Sequence, residues 1–353
     1  EAVMLHYYTA LNYINLNNYE DALVECRRVN LRLQELNDKY KDHKNKYQRD
    51  AFAHNLMGMI YEADNDYNNA FIAYRNAYET YKEDYKEYFG MSVPEQLKYD
   101  ILRTAYLTGF NEEVRYYEKQ FGINYEYKPH ENGEVIFFWL NGFGPVKDEW
   151  GIHFSKVSNP RDGYVTLRNE ELDMSFPVYI GDKSGKEKQA FKDLRFFKVA
   201  FPKYVERKPV YSNATAFCNN KRYSFDMAQN INEIAFKTLR DRMFREMGNA
   251  ILRIATKKAL EALVDEQDEN LGTIVNIINT VTEKADTRNW QTLPYSISYT
   301  RIPLHEGENK IVFKTKSPNA PTKKKEYTLT GRKGKIYFKS NHTIETHKPN
   351  ISR

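Results

Sequence analysis

Asn55-Leu56-Met57-Gly58-Met59-Ile60-Tyr61, the turn Asp64-Asn65-Asp66, and Tyr67-Asn68-Asn69-Ala70-Phe71-Ile72-Ala73-Tyr74-Arg75-Asn76-Ala77 read as two helices joined by a short polar turn. Apolar side chains recur at helical spacing on both sides, and the Asp and Asn residues at the break supply turn and capping chemistry. The same plan stands 48 residues earlier, where His6 to Ile14, the turn Asn17-Asn18, and Tyr19 to Cys26 repeat it. Ala10, Tyr13, Tyr19 and Ala22 occupy the places of Gly58, Tyr61, Tyr67 and Ala70.

A small residue, a Tyr, a turn, then Tyr and Ala form the tetratricopeptide signature. The small residues let the first helix approach the second, and the tyrosines fill the space between neighbouring hairpins. The usual period is about 34 residues, so the surplus is assigned to an elongated second helix from Glu20 to about Asp50. A degenerate third unit runs from Pro94 to Gly122, with Leu102, Ala105, Gly109 and Val114 at the corresponding places. An ordinary helical bundle is the alternative.

After Gly122 the period falls from 3.6 to 2. Val135 to Leu140 is a buried-strand run, entered through Asn132-Gly133 and left through Asn141-Gly142. Further strands are expected at Trp150 to Val157, Tyr164 to Leu167, Phe176 to Ile180, Phe196 to Phe201 and Val210 to Ala216. Turn chemistry at Asn159 to Gly163 and at Gly181-Asp182 separates several of them. A long helix is expected from Asp226, read as its N-cap, to about Val264, followed by a shorter helix from Leu271 to about Lys284. Strands resume at Tyr295 to Ile302 and Lys310 to Lys314, and a final hairpin pairs Tyr327 to Thr330 with Lys335 to Phe338.

The fold class expected is therefore α+β. N-terminal tetratricopeptide-like α-hairpin repeats (1–126) precede an antiparallel β-rich, sandwich-like domain (127–314). That domain carries a long helical insertion at about 226–285, and 315–353 form a basic C-terminal extension.

The chain has 353 residues, 41% hydrophobic and 14% aromatic, with 16 Gly, 12 Pro and 2 Cys, which excludes collagen, disulfide-scaffold and wholly disordered classes. Ten Lys/Arg and two Asp/Glu fall between Thr315 and Arg353, while the preceding residues carry 43 basic and 46 acidic groups. A basic tail attracts anionic surfaces, or is a solvated, salt-screened segment. Cys26 and Cys218 belong to no metal or redox pattern, and one long-range bridge between them stays open. The eight histidines do not pair at metal-ligand spacing; His6 and His54 sit at equivalent repeat positions and read as structural. No apolar run is long enough to span a membrane. No nucleotide-binding, zinc-protease, hydrolase-elbow or calcium-loop motif occurs, so no catalytic, cofactor-binding or metal residue is expected.

Three stretches together resemble a little-characterised family of bacterial lipoproteins with tetratricopeptide-like repeats. They are His6 to Arg28, Gly133 to Lys147, and Ala285 to Pro294 continued by Arg301-Ile302-Pro303-Leu304. The resemblance implies an outer-membrane lipoprotein of the cell envelope, held by a lipidated N-terminal Cys that this chain lacks. No enzymatic residues come with it. It implies protein partners in an envelope complex and no nucleic acid. Arg27, Arg28 and Tyr74 are the partner-binding candidates on the repeat surface, unless they face neighbouring helices. Asp286, Arg288 and Trp290 form a structural clasp or a partner contact. The function expected is a non-catalytic scaffold or adaptor; the alternatives are a module binding an anionic polymer (cell-wall glycan or nucleic acid) through the basic tail and β-domain, and an envelope hydrolase.

Overall fold

The computed structural model describes residues 1–38, 46–130, 132–157, 164–170, 174–179, 181, 182, 185, 196–243 and 285–351. The turn expected at Asn159 to Gly163, the helical continuation beyond residue 243 and the shorter helix expected at Leu271 to Lys284 lie outside them. The chain is mixed α+β. Two compact units are present: Glu1–Val146 with Val205–Thr238 and Asn289–Arg353, and Lys147–Tyr204 with Leu239–Arg288.

The N-terminal part of the first unit holds α1 (Ala2–Asn15), α2 (Tyr19–Asp38), α3 (Ala51–Ala63), α4 (Tyr67–Thr80), α5 (Lys86–Phe89), α6 (Glu95–Thr108) and α7 (Asn111–Phe121). A π-helical turn, Tyr81–Tyr85, carries α4 into α5. Three turns close in the same way. Asn17, Asn65 and Gly109 take φ of 56°, 63° and 80°. The next N–H reaches back five residues in each: Asn18 to Tyr13 O (2.9 Å), Asp66 to Tyr61 O (2.8 Å) and Phe110 to Ala105 O (2.9 Å). That bond satisfies a carbonyl the helix end would leave unpaired. Side-chain caps then restart the chain: Asn18 Oδ1 accepts from Asp21 N (3.2 Å) and Asp66 Oδ1 from Asn69 N (3.1 Å).

The second helix is shorter than expected. It is described as far as Asp38, and residues 46–50 are not helical. Asp50 instead caps α3, accepting from Ala53 N at 2.8 Å.

Two four-stranded sheets complete this unit. The first, in the order β12-β1-β9-β8, comprises β1 (Glu134–Asn141), β8 (Asp226–Asn230), β9 (Ser296–Pro303) and β12 (Ile336–Thr343). The second, in the order β11-β10-β6-β7, comprises β6 (Asn213–Cys218), β7 (Lys221–Ser224), β10 (Gly307–Lys316) and β11 (Lys324–Gly331). Every pairing in them is antiparallel except β1 with β12. Strand β1 is buried throughout because it is covered on both faces. Val135, Phe137 and Trp139 pack with Ala216, Ile311 and Phe313 of the second sheet. Ile136, Phe138 and Leu140 pack with the helices, in one core with Phe52, Leu56 and Met59. The unit is thus three layers deep, helices on a sheet on a sheet, and one core spans residues 126 and 127.

Two expectations need correction. Residues 226–230 form β8 and, among the described residues, the helix after it runs over 231–243, so Asp226 does not cap it. Its carboxylate accepts from Gln96 N at 2.9 Å, at the start of α6, which has no side-chain cap of its own. The closing hairpin has its two strands and its turn but no ladder, because β11 pairs with β10 and β12 with β1. Its arms belong to different sheets.

The second unit is built on the sheet β4-β3-β2-β5, from β2 (Val146–Val157), β3 (Tyr164–Asn169), β4 (Met174–Tyr179) and β5 (Phe196–Val205). Ile152, Phe154, Val165, Leu167 and Val199 are buried in it.

Candidate functional site

The densest polar chemistry in the first unit lies where its helices meet the sheet. Glu62 stands near the end of α3, Asp100 and Arg103 lie on α6, Glu134 opens β1 and Arg301 sits in β9. Arg301 occupies the helix-facing side of its strand, in register with Ile136 and two residues beyond Tyr299. All five are buried.

Arg103 binds Glu62 with a forked pair of bonds, Nε to Oε1 at 2.6 Å and Nη2 to Oε2 at 3.0 Å, and reaches Asp100 Oδ1 at 2.7 Å. Arg301 joins the helices to the sheet. Its Nη2 donates to Glu62 Oε2 at 2.6 Å, its Nη1 donates to Glu134 Oε1, and its Nε lies 3.0 Å from Asp100 Oδ1. That last contact is an ion pair without hydrogen-bond alignment. His130 Nδ1 lies 3.0 Å from the second Glu134 oxygen.

Tyr74 enters this cluster from α4. Its hydroxyl donates to Glu62 Oε2 at 2.8 Å and accepts from Arg301 Nη2 at 2.7 Å. The ring passes over Gly58, where any Cβ would overlap it. The small residue of the repeated pattern therefore makes room for one aromatic side chain.

Three carboxylates face two guanidiniums. Burial raises the pKa of each acid, and the guanidiniums oppose it. For Glu62 and Glu134 the attraction of Arg103 and Arg301 prevails, and both end below the usual carboxylate range. For Asp100 burial prevails, and its pKa is raised. Both arginines are held more firmly protonated by the acids around them, against the opposing effect of burial. Asp100 is thus the acid of the three whose charged form burial disfavours most in the balance with the guanidiniums. Its second oxygen lies 3.5 Å from the Tyr299 hydroxyl, also buried. Guanidiniums do not release protons in this setting, and the carboxylates are enclosed. The arrangement suits a clamp between layers rather than a reaction centre.

The residues singled out from the sequence fall in different places. Tyr74 is fully buried in the cluster and presents nothing to a partner, which corrects its assignment to the repeat surface. Arg27 and Arg28 are exposed on α2, and Arg28 pairs with Glu25. Asp286 and Arg288 form an exposed ion pair, Nε to Oδ1 at 2.9 Å and Nη2 to Oδ2 at 3.0 Å, which keeps the carboxyl low. Trp290, in the first unit, donates to Thr292 Oγ1 at 2.7 Å and packs on Tyr8 with ring centroids 5.7 Å apart. His6 pairs with Glu25 at 2.7 Å, and burial together with Arg49 lowers His54 to about 4. Both cysteines are free and buried. Among the described residues, no three His, Cys, Asp or Glu side chains gather as a metal site, and no helix is long and apolar enough to cross a membrane.

Sequence reasoning passed over Glu62, Asp100, Arg103, Glu134 and Arg301. Their signal is a charge at a core-facing position: Glu62 follows Met59-Ile60-Tyr61, and Arg301 continues the alternation Ile297, Tyr299.

Comparison with family models, with curated proteins and with solved structures returns no match.

Proposed function

We propose that the protein is a non-catalytic scaffold or adaptor of the bacterial cell envelope, and that its three helix pairs are tetratricopeptide-like repeats. The repeated turn geometry at Asn17, Asn65 and Gly109 supports the repeat reading. So does the matched burial of Ala10 and Gly58, and of Ala22 and Ala70. Membrane attachment through a lipidated N-terminal Cys is part of this proposal and rests on the family resemblance alone.

One observation carries the reading of where a partner binds. Repeats of this kind usually receive ligands on the extended concave surface that the stacked pairs make. Here α3 and α6 spend a face on the chain's own sheet. Phe52 of α3 meets Phe138 of β1 edge-on at 6.2 Å, and Glu62 and Asp100 hold Arg301 of β9. The partner surface is then the outer helices α2, α4 and α7, where Arg27, Leu31, Ile72 and Tyr116 stand exposed. The test is affinity purification of the full-length protein from its native membrane, beside the double variant Arg27→Glu/Leu31→Asp. A stoichiometric set of envelope proteins that the variant loses supports the reading. An identical set from both removes α2 from the interface, and a protein that comes out alone removes the scaffold.

A second reading, binding of an anionic polymer, is favoured by the outer face of the second sheet. Lys310, Lys314, Lys316, Lys324 and Arg222 share that face with Glu308 and Glu326. Polymer binding there would weaken steeply with salt.

A further inference from the structure

The opened hairpin leaves a seam along one side of the two packed sheets. Among the described residues, β11 pairs with β10 alone and β12 with β1 alone, so each has a free edge. Side chains span the seam in place of a ladder. Tyr327 donates to Asn341 Oδ1 at 2.8 Å, and Tyr337 donates to Thr330 O at 2.8 Å. These two bridges set β11 and β12 antiparallel to each other. Beyond Tyr327 the seam opens into a cleft of about 330 Å³, with Phe313 in its lining, Lys323 to Lys325 on one wall and Asn341 to Glu345 on the other.

The backbone at this end is available. Thr315 N–H donates to Lys323 O at 3.0 Å, and Lys323 N–H donates to Thr315 Oγ1 at 3.3 Å, so Lys323 turns its peptide groups to β10. Successive residues of an antiparallel strand alternate in this respect, so Lys324 and Glu326 turn theirs to the free edge. Lys325 shares the inner face with Phe313, its register partner, and lies over the Tyr327 ring at 5.2 Å. An inward lysine on an edge strand guards against pairing with just any other edge. The same charge admits a strand that brings carboxylates, so it selects rather than merely excludes. Glu345 pairs with Lys323 through one oxygen, and its other oxygen is buried without a hydrogen-bond partner. An entering N–H would supply one.

We propose that the open end of the seam between β11 and β12 receives an extended acidic peptide segment of a partner protein, which adds as a strand to the free edge of β11. Main-chain bonds to Lys324 and Glu326 give the pairing, Lys325 meets a carboxylate, and an apolar side chain of the segment covers Phe313. This site is independent of the outer helical surface and stands or falls separately.

The test uses the full chain and a fluorescein-labelled octapeptide amide of alternating Glu and Val, followed by anisotropy. Controls are the same probe N-methylated at alternate residues, a Lys-Val octapeptide and an oligothymidylate. Saturable binding of the Glu-Val probe is expected, weakened about tenfold or more by N-methylation, by Lys324→Pro and by Lys325→Glu, with no saturable binding of the Lys-Val probe. Lys324→Pro removes an N–H that faces the free edge, which an edge strand tolerates. Lys325→Glu leaves the backbone groups of β11 in place and keeps the test open should the proline disturb β11. Equal binding of the N-methylated probe, displacement by oligothymidylate at lower concentration, or no saturable binding of the Glu-Val probe would each overturn the proposal.

Discussion

Arg301 is the residue on which the layers are hinged, because it alone among the five cluster members sits in the middle of the sheet and bonds acids from two helices. Removing one partner of a buried ionic group leaves the others unpaired, so Arg301→Ala is expected to cost about 3–5 kcal/mol in urea denaturation. Asp100→Asn is expected to cost less than Arg301→Ala, since burial already disfavours the charged form of Asp100 and an amide keeps an accepting oxygen towards Arg103. Equal losses from the two variants would contradict that ranking. At Gly58 the added methyl of Gly58→Ala must push the Tyr74 ring out of the cluster, at about 1–3 kcal/mol by the same measurement. The sequence makes Gly58 and Tyr74 conspicuous as a repeated small residue and an aromatic. It cannot make them neighbours of Arg301, which lies 227 positions from Tyr74. That is why the sequence leaves Tyr74 open between the repeat surface and a contact with neighbouring helices.

Elements were legible where local chemistry fixes them. The strands of the β-rich part and the three helix pairs follow period and punctuation, and the turn at Asp64-Asn65-Asp66 can be read from Asn tolerance of the left-handed region. Asn65→Ala is expected to cost about 1–2 kcal/mol, whereas Asn65→Gly leaves the urea midpoint unchanged or higher. A null effect of Asn65→Ala would mean the turn is not held at φ 63° in solution. Two elements were misread for one physical reason. Residues 226–230 and the closing hairpin both have plausible local partners, but tertiary partners won. Strand β8 is claimed by β9, while β11 and β12 go to separate sheets. Propensity is a weak prior wherever a sheet edge offers ladder bonds. The segment after Thr315 reads from sequence as a basic extension carrying a hairpin; most of its basic residues lie on or beside β11 and β12.

At the scale of the molecule, the buried acids give stability a pH signature. Glu62 and Glu134 have folded pKa values below their ordinary 4.5, so below that pH the unfolded chain binds more protons than the native one. Their contribution is fully present above about 4.5 and is lost as the pH falls through their lowered values. Asp100 and Asp50 are raised from 3.8 and act in the opposite sense, favouring the native state as pH falls through their raised values towards 3.8. Urea midpoints should therefore hold or rise slightly on mild acidification and drop below pH 4.5. A midpoint that climbs steadily past that point would contradict the assignment. Layering itself was out of reach of sequence, because period and punctuation place elements along the chain and not against one another.

That shared face is the central claim: the helices of the first unit and its sheet are one cooperative body, with the inner surface of the helices filled by the chain itself. Hydrogen–deuterium exchange of the full chain, followed by mass spectrometry at rising urea, tests it most directly. The account predicts that peptides covering α3, α6, β1 and β9 lose protection together, and that Arg301→Ala lowers all of them by the same amount. Exchange of α3 and α6 well before β1 and β9, with Arg301→Ala affecting the sheet alone, would show two independent bodies and contradict it.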